Sequence, residues 1–139
     1  MTKVLILAGG KGTRFSEKTI KQPKPLIKIG KSPIIWYIMK HYSNFGLTDF
    51  VILAGYKYRE FHKEFKKNKY KNWSIKVLNT GLNTETGSRV LQAKNYLEND
   101  NGYFYLTYGD GVSNINIKKL LNFHKKNKKI ATVTAVHMP

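Results

Sequence analysis

Val4-Leu-Ile-Leu-Ala-Gly-Gly-Lys-Gly-Thr-Arg14, followed by Lys21-Gln-Pro-Lys-Pro25, is the stretch whose reading decides the fold. Val4 to Leu7 is an unbroken apolar run rich in Val, Ile and Leu, the pattern of a strand buried on both faces. It breaks into Gly9, Gly10 and Gly12, with cations at Lys11 and Arg14. Glycines there let backbone approach a ligand closely and turn several N–H groups toward negative charge. Lys21 and Lys24 add two more cations, and Pro23 and Pro25 fix φ on either side of Lys24. Such a loop suits the polyphosphate and base of a nucleotide. It also fits an ordinary strand-to-helix turn, but such a turn has no need of Pro-Lys-Pro.

Two common phosphate patterns are excluded. A P-loop needs four residues between its glycines and then Gly-Lys-Ser/Thr, which is absent. The dinucleotide fingerprint needs a third glycine where Phe15 and Ser16 stand.

Strand and helix patterns alternate along the rest of the chain. Leu26 to Ile29 is a short apolar segment closed by Gly30, and Ser32-Pro33 predicts a helix start with Ser32 as N-cap and Pro33 at the first helical position. Ile34, Ile35, Ile38, Met39 and Tyr42 form its apolar face, and Gly46 ends it. Phe50 to Ala54 reads as the second strand, followed by a helix carrying Tyr58, Phe61 and Phe65. The Lys66-Lys67-Asn68-Lys69 run reads as a solvated helix end. Ile75 to Leu78 is the third strand, and Asn79 to Glu85 a polar loop. Thr86-Gly87 opens a helix running through Leu91 to Tyr96-Leu97. Tyr103 to Thr107 is the fourth strand, Ile117 to His124 a helix and Ile130 to Val136 a fifth strand. This alternation predicts a single α/β domain over residues 1–139, a three-layer sandwich with a mostly parallel sheet.

In such sheets ligands bind beyond the carboxyl ends of the strands. The Gly-rich loop, the loop from Asn79 to Arg89 and Gly109-Asp110-Gly111 all follow strands, so residues far apart in sequence are expected at one rim. Asp110 between two glycines suits a Mg²⁺ ligand facing phosphate oxygens, and equally an Asx turn. It is the last of only eight acidic residues.

Gly10-x-Gly12-Thr13-Arg14 and Pro23-Lys24-Pro25 together resemble the signature of the sugar-1-phosphate nucleotidylyltransferases. Within that family the chain most resembles the glucose-1-phosphate cytidylyltransferases. That likeness is carried by Ser16-Glu17-x-Thr19, Ile34-x-Trp36-x-Ile38-Met39-Lys40, Gly55-Tyr56-Lys57, Thr86-Gly87-x-Arg89 and Thr107-Tyr108-Gly109-Asp110-Gly111-Val112. It runs the whole length, with one departure: the stretch between Phe65 and Ile75 is shorter than in that group.

The resemblance implies a Rossmann-like nucleotidyltransferase fold and transfer of a nucleotidyl group, CMP from CTP first, to a sugar 1-phosphate with release of pyrophosphate. It implies Arg14, Lys24 and Asp110 as catalytic residues, with Lys24 at the α-phosphate, Arg14 at the β- and γ-phosphates and Asp110 on Mg²⁺. It also implies nucleotide contacts from Leu7, Ala8, Gly9, Gly10, Lys11, Gly12, Thr13, Thr84, Arg89 and Gly109. Guanylyl transfer to a heptose phosphate is the variant reading, and a non-catalytic nucleotide-binding module the alternative from another class. The family's sugar site and second metal ligand lie further along longer chains. This chain is therefore expected to be the N-terminal part of a larger enzyme, with a sheet edge open to self-association.

Composition narrows the partners. The net charge of +17 invites nucleic acid, but only three of 25 basic residues are Arg, and the lysines are scattered among Asn and Ile. Base recognition favours Arg for its bidentate fork, so nucleic-acid binding is not expected. Zero cysteines exclude disulfides, thiolate catalysis and zinc–sulfur sites, and agree with a reducing, cytoplasmic location. No segment approaches the ~20 apolar residues of a membrane span, and no signal peptide is evident. Four histidines show no metal-ligand spacing, and Trp36 and Trp73 read as structural.

Overall fold

A computed structural model of the chain describes residues 2–11, 22–66, 70, 72–97 and 102–137. In chain order its elements are β1 (Val4–Ala8), the short β2 (Lys28–Ile29) and β3 (Ser32–Pro33), α1 (Ile34–Ser43), β4 (Asp49–Ala54), α2 (Tyr58–Lys66), β5 (Ser74–Asn79), α3 (Thr86–Gln92), β6 (Tyr105–Tyr108) and α4 (Ile117–Asn127). β1, β4, β5 and β6 form one parallel sheet in the order β5-β4-β1-β6. All five residues of β1 are buried, as an interior strand with covered faces requires.

Alternation along β1 divides the core in two. Val4, Ile6 and Ala8 join Phe50, Ile52 and Ala54 on one face, under Ile35, Ile38, Met39 and Tyr42 of α1, Phe61 of α2 and Ile117 of α4. The α1 positions recur at helical spacing, and fully burying each such side chain contributes ~1.5–3 kcal/mol. Leu5, Leu7, Val51 and Leu53 form the other face, packed with Ala93, Val90 and Leu97 from α3 and the turn after it. Helices on both faces make the three-layer α/β sandwich. The second helical layer stops short of β6, whose Leu106 and Tyr108 are 45% and 62% exposed beside buried Leu5 and Leu7.

Trp73 stacks on Tyr70 at 5.5 Å and meets Phe50 edge-on at 5.5 Å, so it supports the β4–β5 end of the first layer. Trp36 lies 6.3 Å from Trp73 in the same group.

Three sequence expectations are corrected. Ser32 and Pro33 do not start the helix: they pair with Ile29 and Lys28 across a tight turn with Gly30 at φ 63, and α1 begins at Ile34. The helix expected through Leu97 breaks at Ala93 into a 3-10 turn, Lys94–Tyr96. The fifth strand at 130–136 is absent. Its β-prone composition finds no ladder partner, and Ile130, Val133 and Val136 stand in solvent. A strand's backbone groups need a neighbour, which composition alone does not supply. The α4 expectation holds, with Asn116 accepting from the Lys119 N–H at 3.0 Å as N-cap.

Candidate nucleotide site

The chain runs from β1 outward through β4 to β5, then returns to place β6 on the other flank of β1. This reversal makes β1 and β6 a topological switch point, and open α/β sheets bind ligands in the crevice expected beyond the carboxyl ends of the strands there. Gly9-Gly10-Lys11 leaves β1 there and Gly109-Asp110-Gly111 leaves β6. The Gly109 N–H donates to the Leu7 carbonyl at 2.8 Å, carrying the ladder one step past β6. A Cβ on Gly109 would lie 3.0 Å from Pro25 Cγ and 3.1 Å from the Leu7 oxygen, so only a residue this small sits there without displacement.

Pro25 belongs to a 3-10 turn, Lys24–Leu26, anchored by burial of Pro23, Pro25 and Leu26. Lys24 is the cation that this turn leaves at the rim. Its Nζ lies 2.7 Å from Asp110 Oδ2, with the two side chains 32% and 35% exposed. Two residues singled out 86 positions apart thus meet as an ion pair. Such a partly exposed pair is worth little to stability, so its interest is chemical.

Arg89 is the second junction, and its side chain is engaged within the fold. Its side chain rises from α3 into the sheet's end and the residue is only 6% exposed. Nη1 donates to Thr80 Oγ1 at 2.5 Å and to the Gly81 carbonyl at 2.7 Å. Nη2 donates to the carbonyls of Leu82 at 3.3 Å and Gly9 at 3.4 Å. Thr80 Oγ1 in turn donates to the Ala54 carbonyl at 2.7 Å. The ends of β1, β4 and β5 are therefore tied to one guanidinium. Burial lowers the Arg89 pKa and Glu85 opposes that, yet an arginine stays charged.

This clamp gives a structural reason for Gly9, which sequence reading assigned to ligand approach, and for Gly55. A Cβ on Gly9 would strike the Arg89 guanidinium. One on Gly55 would lie 2.5 Å from both Arg89 Nη1 and the Gly81 oxygen. The Gly9 carbonyl is occupied from within the fold by Arg89 and by the Tyr56 N–H at 3.2 Å. Among the described residues of the loop, Gly10 and Lys11 are exposed.

Leu7 and Ala8 are buried in the core, so any ligand contact from them is through backbone. Thr84 is half-buried, its Oγ1 2.8 Å from where a Cβ on Gly81 would stand. Tyr108 is exposed beside Gly109. Gly12, Thr13 and Arg14 lie outside the described residues. Thr80 and Gln92, whose Nε2 donates to the Thr80 carbonyl at 3.3 Å, were not foreseen, and nothing in the sequence marks them.

Among the described residues no three His, Asp, Glu or Cys side chains gather to hold a metal. Asp110 alone fits a Mg²⁺ site completed by phosphate oxygens and water, since Mg²⁺ is commonly held by one or two carboxylates plus substrate phosphates.

The parallel sheet with helices on both faces and its switch point between β1 and β6 define an α/β protein of the doubly wound kind. The sequence then identifies the branch: residues 3–139 match the nucleotidyl transferase family, and the chain belongs to it. It is 40% identical to a probable glucose-1-phosphate cytidylyltransferase of Bacillus subtilis, covering 96% of this chain and 60% of that protein. It is 32% identical to the mannose-1-phosphate guanyltransferase of Saccharomyces cerevisiae, over 96% of this chain and 37% of that protein. The chain thus spans about three fifths of the cytidylyltransferase's length. Among solved structures, HddC from Yersinia pseudotuberculosis complexed with GMP-PN superposes with TM-score 0.76 at 25% identity, over 89% of this chain and 54% of that one. A putative glucose-1-phosphate thymidylyltransferase from Bacillus anthracis shares the fold at TM-score 0.79 and 20% identity, over 92% of this chain and 52% of that one. Among the described residues no helix is long and apolar enough to cross a membrane.

Proposed function

We propose that this chain carries the nucleotide half of a sugar-1-phosphate nucleotidylyltransferase, with CTP as the nucleotide and glucose 1-phosphate as the acceptor. The observation that carries the reading is the Lys24–Asp110 pair at 2.7 Å, which places a fixed cation and a carboxylate together at the switch point.

Lys24 is positioned to leave Asp110 for the α-phosphate of a bound triphosphate, neutralising its charge. Asp110 then faces the phosphate oxygens as the protein ligand of Mg²⁺. The metal would supply charge neutralisation on the phosphates and orient them. Arg14 has the β- and γ-phosphates as its expected partners. A phosphate oxygen of the sugar 1-phosphate attacks the α-phosphorus, one P–O bond forms, and the bond to the β-phosphate breaks to release pyrophosphate. Such transfer rests on positioning and charge stabilisation and needs no protein nucleophile.

A second reading, guanylyl transfer, has its own support. The yeast guanyltransferase aligns over 136 residues, whereas the Bacillus and Salmonella typhimurium cytidylyltransferases align over 154 and 158, more than the 139 present here. The cytidylyltransferases therefore carry insertions that this chain lacks, in keeping with its short stretch between Phe65 and Ile75. A thermal-shift panel of CTP, UTP, GTP and ATP with Mg²⁺ separates the readings. Largest stabilisation by CTP is expected. Largest stabilisation by GTP selects the second reading, and no response to any of the four overturns both.

A further inference from the structure

We infer that Arg89 is the positioning residue of the nucleotide site, acting through the peptide groups it holds and not by touching the ligand. This rests on the functional reading above for the ligand, but the structural part stands without it.

The guanidinium is charged and buried, yet its four acceptors are neutral: three carbonyls and one hydroxyl. Burying a charge without a hydrogen-bonded counter-ion is costly. A packing role alone does not require this expense at the ligand rim. What Arg offers is geometry. A planar fork reaches oxygens of Gly9 and of the Thr80–Leu82 segment at once, which a lysine's single point cannot do.

The consequence follows from the planarity of the trans peptide, in which C=O and N–H point in opposite directions. Arg89 draws the Gly9 carbonyl inward, so the N–H of Gly10 is turned outward toward the crevice. It draws the carbonyls of Gly81 and Leu82 inward, so the N–H groups of Leu82 and Asn83 are turned away from it as well. Gly10, Leu82 and Asn83 are exposed, and no hydrogen bond among the described residues occupies these three donors. One buried cation thus orients backbone donors on two loops, and such donors suit acceptors on a nucleobase edge or a phosphate. Gly9 and Gly55 lack side chains because the fork occupies the space a Cβ would need.

The experiment compares Arg89→Lys and Arg89→Ala with the parent chain, with and without millimolar ethylguanidinium. The first readout needs no nucleotide: the ¹⁵N–¹H resonances of Gly10, Leu82 and Asn83. All three are expected to shift together in both variants and to return toward parent positions in Arg89→Ala when ethylguanidinium fills the vacated space. The second readout is CTP affinity by calorimetry, expected to fall about tenfold or more in both variants, because the donors are no longer aimed. Ethylguanidinium should restore it for Arg89→Ala and leave Lys24→Ala unimproved. Phe61→Leu serves as a control that lowers the melting temperature at a distance while leaving CTP affinity unchanged. If Arg89→Lys keeps parent-like amide positions and affinity, the inference is overturned. If Arg89→Ala fails to fold, Arg89→Lys alone decides it. If the parent binds no nucleotide, the proposed function fails, and the amide readout still decides the role of Arg89.

Discussion

Gly55→Ala tests the crowded end of the sheet most directly. The added methyl would lie 2.5 Å from the Gly81 oxygen, 2.9 Å from the Gly9 oxygen and 2.5 Å from Arg89 Nη1. Two of these neighbours are backbone atoms of loops held by β1 and β5, so the strain cannot relax by swinging a side chain. Forcing extra volume into a packed region costs ~1–3 kcal/mol. Displacing Arg89 also strains hydrogen bonds to four oxygens, which places Gly55→Ala at the upper end, ~3 kcal/mol. For a domain of this size each kcal/mol lowers the melting temperature by roughly 3–5 °C, so a fall of about 10 °C is expected. Gly10→Ala is the matched control: nothing lies within 4 Å of its Cβ position, and its φ is not in the left-handed region. Its expected change is below about 2 °C, the range of an ordinary surface substitution. Differential scanning calorimetry on the two variants and the parent measures this. Equal melting temperatures for Gly55→Ala and Gly10→Ala would refute the argument that Arg89 and the strand ends share one tightly filled space.

Lys24→Met should reduce stability by less than about 1 kcal/mol, since its ion pair is about one third exposed, while weakening CTP binding tenfold or more by calorimetry. Unchanged affinity would make Pro-Lys-Pro a purely structural element. Asp110→Asn should remove the Mg²⁺ dependence of CTP binding while leaving metal-free binding intact; superimposable Mg²⁺ titrations of variant and parent would reject it as the metal ligand. Burial, with the Glu64 carboxylate beside it, pushes the Tyr70 phenol up to about 12. A pKa raised by folding contributes stability that is fully present below pH ~10 and is lost as pH rises through 12. Absorbance at 295 nm on Tyr70→Phe should lack the last-ionising component of the parent curve, and loss of a component near pH 10 would contradict this.

Most of the layered fold was readable because both-face burial writes itself into sequence. Val4 to Leu7 and Phe50 to Ala54 admit no polar residue, and α1 repeats its apolar positions at helical spacing. The rim was readable as a set of loops that end strands. The partnerships within it were not. No local pattern shows that Lys24 meets Asp110, because their distance depends on how β6 docks beside β1. Arg89 in a short, mostly exposed helix reads as a surface or ligand-facing cation. Its burial depends on vacancies at Gly9 and Gly55, 80 and 34 positions away. Residues 130–136 misled for a related reason: a run rich in β-branched side chains reports a preference for extended backbone, not the presence of a strand to pair with.

The central position of β1 has a kinetic consequence. Val4 pairs with Phe50 on one side and Tyr105 on the other, 46 and 101 positions later. At ~5–20 residues per second of synthesis, this apolar strand waits roughly 5–20 s for its second neighbour to be made. Parallel pairing across such separations also makes loop closure costly before any contact rewards it. Docking of β6 beside β1 is therefore the expected slow step of folding, and the same step joins Asp110 to Lys24. The switch point is assembled only when β6 has joined β1, so a chain arrested before β6 has a Gly-rich loop without Asp110 beside Lys24. Through that interval, mutual repulsion among the chain's many lysines opposes association of nascent copies through the uncovered Val-Leu-Ile-Leu run.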